Sequence, residues 1–315
     1  MNLFVNRQAV ALAALVAVLT APAVCAEATY LGEAVPGEQP VLFAPGIVNT
    51  PAIELNGVVS PDGREFFFTR RIDDVFIMHR RRLEDGRWGE PDEVLPYEGG
   101  HRATAVDMAY SPDGRLLYFL GRFDPNDPSA EGNLDIWVSE KEGENYAAAR
   151  VVPHPVSTDA AEYYPTVVAD GSLYFSSDRH GGLGAGDIYR AQRLEDGSFA
   201  APVNVGAPIN SAASEGDTHV APDESYLILT SRRPGGLGGG DLYISFRDDD
   251  AGWSEPVSLG PTVNSPLTDF CPMVTPDGRF LFFSRRHGAS WAETTEGEVF
   301  WMDASFLQRI RPSTD

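Results

Sequence analysis

The chain alternates short apolar runs with polar turns in a unit that occurs five times. In each unit an apolar run leads into a turn, and a run rich in aromatic residues follows it. The turn reads SPDG twice and then VADG, APDE and TPDG, with its second residue at positions 61, 112, 169, 222 and 276, so that successive copies are 51, 57, 53 and 54 residues apart. Because proline fixes φ and glycine accepts a positive φ, each turn is predicted to join its two runs into a β-hairpin.

A third apolar run follows each hairpin, for example DIYRAQR at 187–193 and DLYISFR at 241–247. A second turn, LEDG at 83–86 and again at 194–197, leads to a fourth run such as WSEPVSLG. Four strands in about fifty residues are typical of a propeller blade, and no helical periodicity is long enough to compete. The sequence therefore predicts an all-β fold, a five-bladed β-propeller of four-stranded antiparallel blades, because no sixth turn is present.

The fifth unit has no fourth strand of its own. However, GEQPVLFAPGIVNTPAIE at 37–54 closely copies SEPVSLGPTVNSPLTD at 254–269. We therefore expect the segment from about residue 37 to complete the last blade, which would leave the ring without a free sheet edge. This places a single propeller domain at 37–311 and a short N-terminal tail at 27–36.

The repeats also carry a family resemblance. The pattern NVGAPINS…SEGDTHVAPDESYLILTSRRPGGLGGGDLY resembles the WD40-like repeats of the TolB family of periplasmic propellers, especially the copies found beside peptidoglycan-binding OmpA-type domains. The resemblance covers roughly 37–305 and implies a propeller that binds a protein or glycan of the cell envelope. Too few residues follow Phe306 for an OmpA-like domain, so none is expected here.

The first 26 residues read as an export signal. They contain Arg7, an apolar stretch from 9 to 19, and Val24-Cys25-Ala26 before Glu27, which predicts a signal peptide at 1–26 cleaved near Ala26. The mature protein is then periplasmic or secreted. Lipoprotein anchoring at Cys25 is less favoured because valine precedes the cysteine. Cleavage would leave Cys271 as the only thiol, so no intrachain disulfide is expected.

The composition is strongly acidic, with 46 acidic and 24 basic side chains and a formal net charge of −22. Nucleic acid and anionic lipid are bound by lysine and arginine clusters, so we expect no nucleic-acid partner. No second apolar stretch reaches the ~20 residues that span a bilayer, so no transmembrane segment is expected. We expect no cofactor, and whether a channel ion such as Ca²⁺ is bound stays open.

Charged residues recur at fixed distances from the turn. Seven positions before it, four units carry a carboxylate and the second carries Ala105; ten positions after it, all five carry arginine. In an antiparallel hairpin these positions face each other within one residue of register, which predicts structural ion pairs. Such arginines should lower the pKa values of the carboxyl groups, which would then be poor general acids at neutral pH. The expected pairs are Glu54 with Arg71, Glu162 with Arg179, Glu215 with Arg232, and Asp269 with Arg286.

Two glycine-rich stretches, SSDRHGGLGAGDIY at 176–189 and TSRRPGGLGGGDLY at 230–243, precede third strands. A phosphate-binding loop would need a following helix and a Gly-Lys-Ser/Thr sequence, and neither is present. We expect these loops to fold tightly over the ring, with Asp187 and Asp241 accepting backbone N–H bonds. Anion or ligand binding by their backbone stays open.

Side chains that vary between units should lie on the face that carries the glycine loops, where a rigid ring can present a binding site. None of its histidines has short-range metal-ligand spacing, so no metal site is expected. No nucleophile-elbow or Cys/His signature occurs. The ligand-face candidates are His101, Tyr163, Tyr164, His180, His219, His287 and Trp291.

Two functions are consistent with these features. The favoured one is a non-catalytic exported propeller that binds or scaffolds a cell-envelope protein or glycan through the glycine-loop face. The alternative is a glycan-active hydrolase or lyase with carboxylates around the axis. Two unpaired acids ~5–9 Å apart in an axial pocket would favour the alternative. Its candidate catalytic residues are Asp107, Glu162, Asp217, Asp269 and His219.

Overall fold

The computed structural model describes residues 29–123, 133–247, 252–288 and 290–311. The predicted signal peptide and its cleavage site lie outside these ranges, as does most of the loop at 123–134. No helix in the described part of the chain is long and apolar enough to cross a membrane.

The described strands form a short N-terminal hairpin and five larger antiparallel sheets, one for each repeat. The N-terminal segment contains β1 (Thr29–Tyr30), β2 (Glu33–Ala34) and β3 (Val41–Leu42). Blade 1 contains β4 (Glu54–Val59), β5 (Glu65–Ile72), β6 (Val75–Glu84), β7 (Arg87–Trp88) and β8 (Asp92–Val94). Blade 2 contains β9 (Thr104–Tyr110), β10 (Leu116–Arg122), β11 (Asp135–Glu142), β12 (Asn145–Tyr146) and β13 (Arg150–Val151).

The remaining three blades have four strands each. Blade 3 contains β14 (Glu162–Val167), β15 (Leu173–Ser177), β16 (Asp187–Ala191) and β17 (Val203–Asn204). Blade 4 contains β18 (Glu215–Val220), β19 (Tyr226–Ser231), β20 (Asp241–Phe246) and β21 (Val257–Ser258). Blade 5 contains β22 (Thr268–Val274), β23 (Phe280–His287), β24 (Glu296–Asp303) and, as its outer strand, β3. A five-residue helix, α1 (Phe306–Ile310), follows.

This arrangement confirms the predicted five-bladed propeller. In blades 1 and 2 the outer strand is divided in two, since β7 and β8 both pair with β6, and β12 and β13 both pair with β11. The fold is otherwise the same in every blade, with the first strand innermost and the others following outward in chain order.

The N-terminal segment closes the ring as the sequence predicts. Leu42 pairs with Phe300 and Val41 with Trp301 in the antiparallel contact between β3 and β24. The Asn49 side chain donates to Phe43 O at 2.6 Å and Val299 O at 2.9 Å, and it accepts from Val299 N at 2.8 Å. The described part of the predicted tail is the β1–β2 hairpin, whose Tyr30 ring lies 4.6 Å from Phe280.

The hydrophobic core lies between blades rather than inside them. Five buried clusters occupy the five blade interfaces, and each draws on two neighbouring blades. Between blades 5 and 1, Phe43 packs with Phe66 at 4.5 Å and Trp301 at 5.2 Å. Because burying one such ring contributes about 1.5–3 kcal/mol, the interfaces supply most of the apolar stabilisation that holds the blades in a ring.

Candidate functional site

Each innermost strand contains a β-bulge at the same place, five residues before the turn residue. There the backbone enters the left-handed region, which is uncommon for residues other than glycine and costs of order 1–3 kcal/mol. Five such residues therefore meet around the axis of the ring. They are Asn56 (φ 57°), Asp107 (56°), Tyr164 (45°), Asp217 (38°) and Cys271 (52°).

Contacts among these residues close the centre of the ring. Asp107 accepts a weak hydrogen bond from Cys271 Sγ at 3.8 Å, and Tyr164 OH donates to Pro272 O at 2.8 Å. Asn56 Oδ1 accepts the backbone N–H of Met108 at 2.9 Å. Each bond joins different blades, so the bulge residues form a polar plug across the axis.

A cavity of about 660 Å³ lies over this plug and opens on the glycine-loop face. Asp107, Asp217 and Cys271 form its floor, and parts of two inter-blade connections, including Gly186 and Ser214, form its rim. The volume is in the range of small-molecule sites. Its charged and aromatic walls come from Arg122, Arg232, Arg286, Phe76, Tyr163, Phe270 and Trp291.

Both aspartates in the floor have raised pKa values. Burial raises the pKa of Asp107 well above its usual value, and the nearby Asp217 carboxylate raises it further. Burial also raises the pKa of Asp217, to about 6, against the lowering effect of Arg232 and Arg286. Burial raises the pKa of the Cys271 thiol, so this cysteine is a poor nucleophile. The two aspartates therefore titrate as a coupled pair, and each holds its proton to a higher pH than an exposed aspartate does.

Of the four carboxylates seven positions before the turn, only Glu215 belongs to a residue of the cavity lining. Glu54, Glu162, Glu215 and Asp269 are each 0–1% exposed. Each forms an ion pair, and each also accepts a hydrogen bond from a Ser or Thr hydroxyl four residues earlier. The observed pairs are Glu54 with Arg70 at 2.8 Å, Glu162 with Arg179 at 3.0 Å, Glu215 with Arg233 at 3.5 Å, and Asp269 with Arg285 at 2.7 Å.

The Glu162–Arg179 pair is thus present as predicted, while the predicted partners Arg71, Arg232 and Arg286 were wrong by one residue. The physical reason is the β-bulge, which shifts the register of the inner hairpin: Glu54 lies opposite Arg70, whereas Glu215 lies opposite Ser231. The expected pKa shift was also wrong at Asp269. Burial raises the pKa of that carboxyl, and this outweighs the lowering by Arg285.

The displaced arginines have other roles. Arg71 binds Asp74 at 2.5 Å near the cavity mouth. Arg286 is buried and donates to Gly288 O at 3.2 Å and Thr294 Oγ1 at 3.1 Å. Arg232 is exposed, lines the cavity, and its guanidinium has no hydrogen-bond or salt-bridge partner among the residues the structure describes. Register therefore divides the arginines into those that hold the scaffold and those that face the cavity.

The glycine loops are tight for steric reasons. A Cβ on Gly184 would lie 1.8 Å from Ala213 O, and a Cβ on Gly238 would lie 1.8 Å from Leu267 O. Asp241 accepts from the backbone N–H of Leu237 at 3.0 Å and of Gly238 at 3.1 Å. Asp187 plays the same part in blade 3, with the N–H groups of Leu183 and Gly184 as donors. These loops pack each blade against the connection to the next.

Only some of the ligand-face candidates lie in the cavity lining. Tyr163 and Trp291 line the cavity, with Trp291 44% exposed. Tyr164 does not face solvent, because its αL backbone turns the ring into the axial plug, where it is 5% exposed. His219 is also misplaced: it sits three residues before the turn, away from the cavity, and burial lowers its pKa to about 4.

The other three histidines lie outside the cavity lining. His101 stacks on Phe123 at 5.7 Å, and His180 is exposed. His287 lies 3.6 Å from Glu296 and 3.8 Å from Glu298. Within the described ranges no three His, Cys, Asp or Glu side chains are placed to hold a metal ion. Of the proposed catalytic set, only Asp107 and Asp217 reach the cavity.

Sequence reasoning missed the cavity-facing roles of Arg232 and Arg286. A usable signal was present, because Arg-Arg pairs occur at 70–71, 232–233 and 285–286. Successive side chains on a strand point to opposite sides, so one member of a pair can hold the buried carboxylate while the other is directed elsewhere. The aromatic wall of Phe76 and Phe270 had no comparable signal.

Comparison with known proteins bears on the fold. No protein-family model matches the sequence, and no similar protein was found among curated proteins. A solved TolB structure from Agrobacterium tumefaciens is similar at 18% identity and a TM-score of 0.51, covering 81% of this chain and 78% of that one. TolB from Acinetobacter baumannii matches at 15% identity and 0.47, with 80% and 57% covered. The catalytic domain of a GH62 α-L-arabinofuranosidase from Coprinopsis cinerea matches at 13% and 0.49, with 84% and 94% covered.

The first of these likenesses supports the propeller fold. At such identity it carries no chemistry, since one fold hosts many functions. The structure is that of a five-bladed β-propeller similar in fold to the solved TolB structure from Agrobacterium tumefaciens, and its function has to be argued from the axial cavity.

Proposed function

We propose that the protein is an exported, non-catalytic propeller that binds a glycan or protein of the cell envelope in the axial cavity. One observation carries this proposal: the cavity wall presents guanidinium groups and a half-exposed tryptophan, whereas the ring of carboxylates is buried in ion pairs. Arginine and tryptophan are typical of binding sites, and neither is an acid–base catalyst at neutral pH. Export is supported by the sequence of residues 1–26.

The buried carboxylates are unsuited to catalysis. Glu162 binds Arg179, the Thr158 hydroxyl and the Thr158 backbone N–H, and it is 0% exposed. A general acid must come within hydrogen-bond reach of its substrate. Glu162 and Asp269, both in the proposed catalytic set, would have to leave their ion pairs to do so.

One observation favours the hydrolase alternative as a second candidate. Asp107 and Asp217 lie together in the cavity floor with raised pKa values, and a carboxyl group with a raised pKa is what a glycosidase uses as its acid. Asp107, however, is only 8% exposed and is bonded to Cys271. We therefore rank binding first.

The test uses a panel of envelope and plant-wall oligosaccharides. Binding is measured by isothermal titration calorimetry, and each saccharide is then analysed by mass spectrometry. We expect at least one saccharide to bind and to be recovered intact. Trp291→Ala should weaken binding about fivefold to tenfold, because it removes the stacking surface at the cavity mouth.

The matched control is Leu237→Ala, which removes an exposed apolar side chain, 51% accessible, from the same face but outside the cavity. It should leave binding unchanged. Equal losses in both variants would show that the cavity is not the site. If the unaltered protein shortens a saccharide and the variants Asp107→Asn and Asp217→Asn do not, the protein is a hydrolase instead.

A further inference from the structure

Two of the three guanidinium groups in the cavity lining, those of Arg232 and Arg286, lie close to each other and differ in their bonding to the protein. Arg286 is 4% exposed, with its guanidinium 4.7 Å from the Trp291 ring centre and bonded to the loop after β23. Arg232 extends from the end of β19 with a guanidinium that makes no hydrogen bond or salt bridge within the described residues. Hydrogen bonds therefore hold the Arg286 guanidinium in place, whereas the donors of the exposed Arg232 guanidinium are available to a ligand.

The cavity lining carries both signs of charge: its carboxylates are Asp74, Asp107, Asp178, Glu215 and Asp217, and its arginines are Arg122, Arg232 and Arg286. Burial lowers the pKa of Arg286 and the positive charge of Arg232 lowers it further, so the two groups lie close enough to repel each other. Burial raises the pKa of Asp217 to about 6, and Arg232 and Arg286 both act to lower it, so this carboxyl group lies beside the two cations. Two of the three arginines and one carboxylate are thus gathered at this part of the cavity, where the two guanidinium groups can hold a negatively charged group.

The rest of the wall suits a sugar ring. Trp291 is held on edge by Phe76 at 5.3 Å and Phe270 at 5.8 Å, which fixes its plane at the cavity mouth. A flat apolar surface of this kind stacks on the face of a pyranose ring. Ser176 and Thr230 also line the cavity, and their hydroxyl groups have no hydrogen-bond partner among the described residues. Such hydroxyls complement those of a saccharide.

A peptide fits less well. An extended peptide would bind by adding a strand to a free edge. At the mouth the strand ends are already paired, since Arg232 N donates to Ser214 O at 3.0 Å and Glu215 N to Gly186 O at 2.9 Å.

We propose that the cavity binds an acidic saccharide, with the carboxylate of a uronic acid held between Arg232 and Arg286 and its ring stacked on Trp291. This inference rests on the proposed function and names the ligand class. Arginine is suited to the role because its planar fork donates two parallel hydrogen bonds to a carboxylate.

The test compares trigalacturonate with its methyl ester, which has the same shape without the charge, by calorimetry on the full protein. Trigalacturonate should bind at least about tenfold more tightly than the ester, since hydrogen bonds to a charged group are the stronger kind. Arg232→Gln should remove that difference. Because the Arg232 side chain is exposed and makes no hydrogen bond or salt bridge with the residues that the structure describes, this variant should fold normally.

Arg115→Gln is the matched control, with the same change of charge beside the Pro-Asp-Gly turn of blade 2, where Arg115 is 71% exposed. It should retain the preference for the acid. Equal affinity for acid and ester, or equal losses in the two variants, would overturn the inference. Binding of an acidic peptide that depends on Arg232, with no binding of the saccharide, would overturn the ligand class.

A failure here is distinguishable from a failure of the proposed function. If a neutral saccharide from the panel binds in a Trp291-dependent way and the acid gains nothing, the acidic ligand is wrong and the binding function stands. If no saccharide or peptide depends on the cavity residues, both are wrong.

Discussion

At the residue scale, the site is shaped by one backbone position in each inner strand. Asparagine and aspartate tolerate the left-handed conformation better than other non-glycine residues, and they occupy three of the five bulge positions. The bulges that direct Asp107 and Asp217 to the axis also bury them. A single local distortion thus sets both the position and the pKa of the cavity acids.

Asp107→Asn should stabilise the protein at neutral pH. The folded-state pKa of Asp107 lies above its usual value, so this group stabilises the fold most below about pH 4, and that contribution is lost as the pH rises through the folded-state pKa. Asparagine fits the backbone, since Asn56 holds the same position in blade 1. We expect the free energy of unfolding at pH 7.5 to rise by about 1–3 kcal/mol in urea titrations, with little change at pH 4.

Asp113→Asn is the control, because it should change the pH dependence with the opposite sign. The Ser111 hydroxyl lowers the pKa of Asp113, so its contribution is present above about pH 4 and lost as the pH falls. Asp107→Asn that destabilises the protein more at pH 7.5 than at pH 4 would contradict the burial of a strained, near-neutral acid.

At this scale the sequence predicted the residue types and missed their partners. The repeated acids and arginines correctly indicated ion pairs at four inner strands. The choice between Arg70 and Arg71, or between Arg232 and Arg233, depends on a bulge that no turn motif or hydrophobic pattern reports. The sequence did not predict that Arg232 lines the cavity, for the same reason.

At the element scale, the glycine loops join each blade to the next. The loop of blade 4 approaches the connection at 265–267 so closely that Gly239 N donates to Leu267 O at 2.7 Å. Gly240 O then accepts from Asp269 N at 2.9 Å, beside a cavity-lining strand. A substitution that displaces the backbone of this loop should therefore reach the site, whereas truncation of an exposed side chain should not.

Gly238→Ala should lower the free energy of unfolding by about 1–3 kcal/mol, because the new Cβ would overlap backbone oxygens that cannot move freely. Gly252→Ala is the matched control, as a Cβ there meets nothing within 4 Å. Urea titrations of the two variants test the steric explanation. Equal stabilities would show that the glycines are not required by packing.

The hairpins and third strands were readable from the sequence, because alternation and Pro-Asp-Gly turns have local causes. The divided outer strands of blades 1 and 2 were not, since short outer strands carry little hydrophobic pattern. The tight packing of the glycine loops was predicted. The carbonyl groups that they contact belong to the connection to the next blade, so the sequence of the loops does not indicate them.

At the scale of the whole molecule, the ring is closed by the same asparagine-to-backbone hydrogen bonds that occur within it. Asn210 and Asn264 each bind the backbone N–H and carbonyl of a third strand, at Ile188 and Leu242. Asn49 makes the same bonds to Val299, 250 residues away. The sequence similarity of 37–54 to 254–269 was therefore enough to predict closure, because corresponding residues of the two segments make corresponding contacts.

Charge is also organised at this scale. A surface with a net charge of −22 should repel acidic ligands at long range. The cavity lining places three arginines beside five carboxylates. Salt screens the long-range repulsion more than the buried contacts, so an acidic ligand should depend on the cavity for its affinity.

The most direct test of the account is hydrogen–deuterium exchange with and without the tightest ligand of the saccharide panel. Slower exchange should be confined to the cavity segments 214–217, 268–271 and 290–294, while the outer strands β17 and β21 and the Pro-Asp-Gly turns stay unchanged. Protection at those outer strands or turns, with no change in the cavity segments, would contradict the claim that the axial cavity is the binding site.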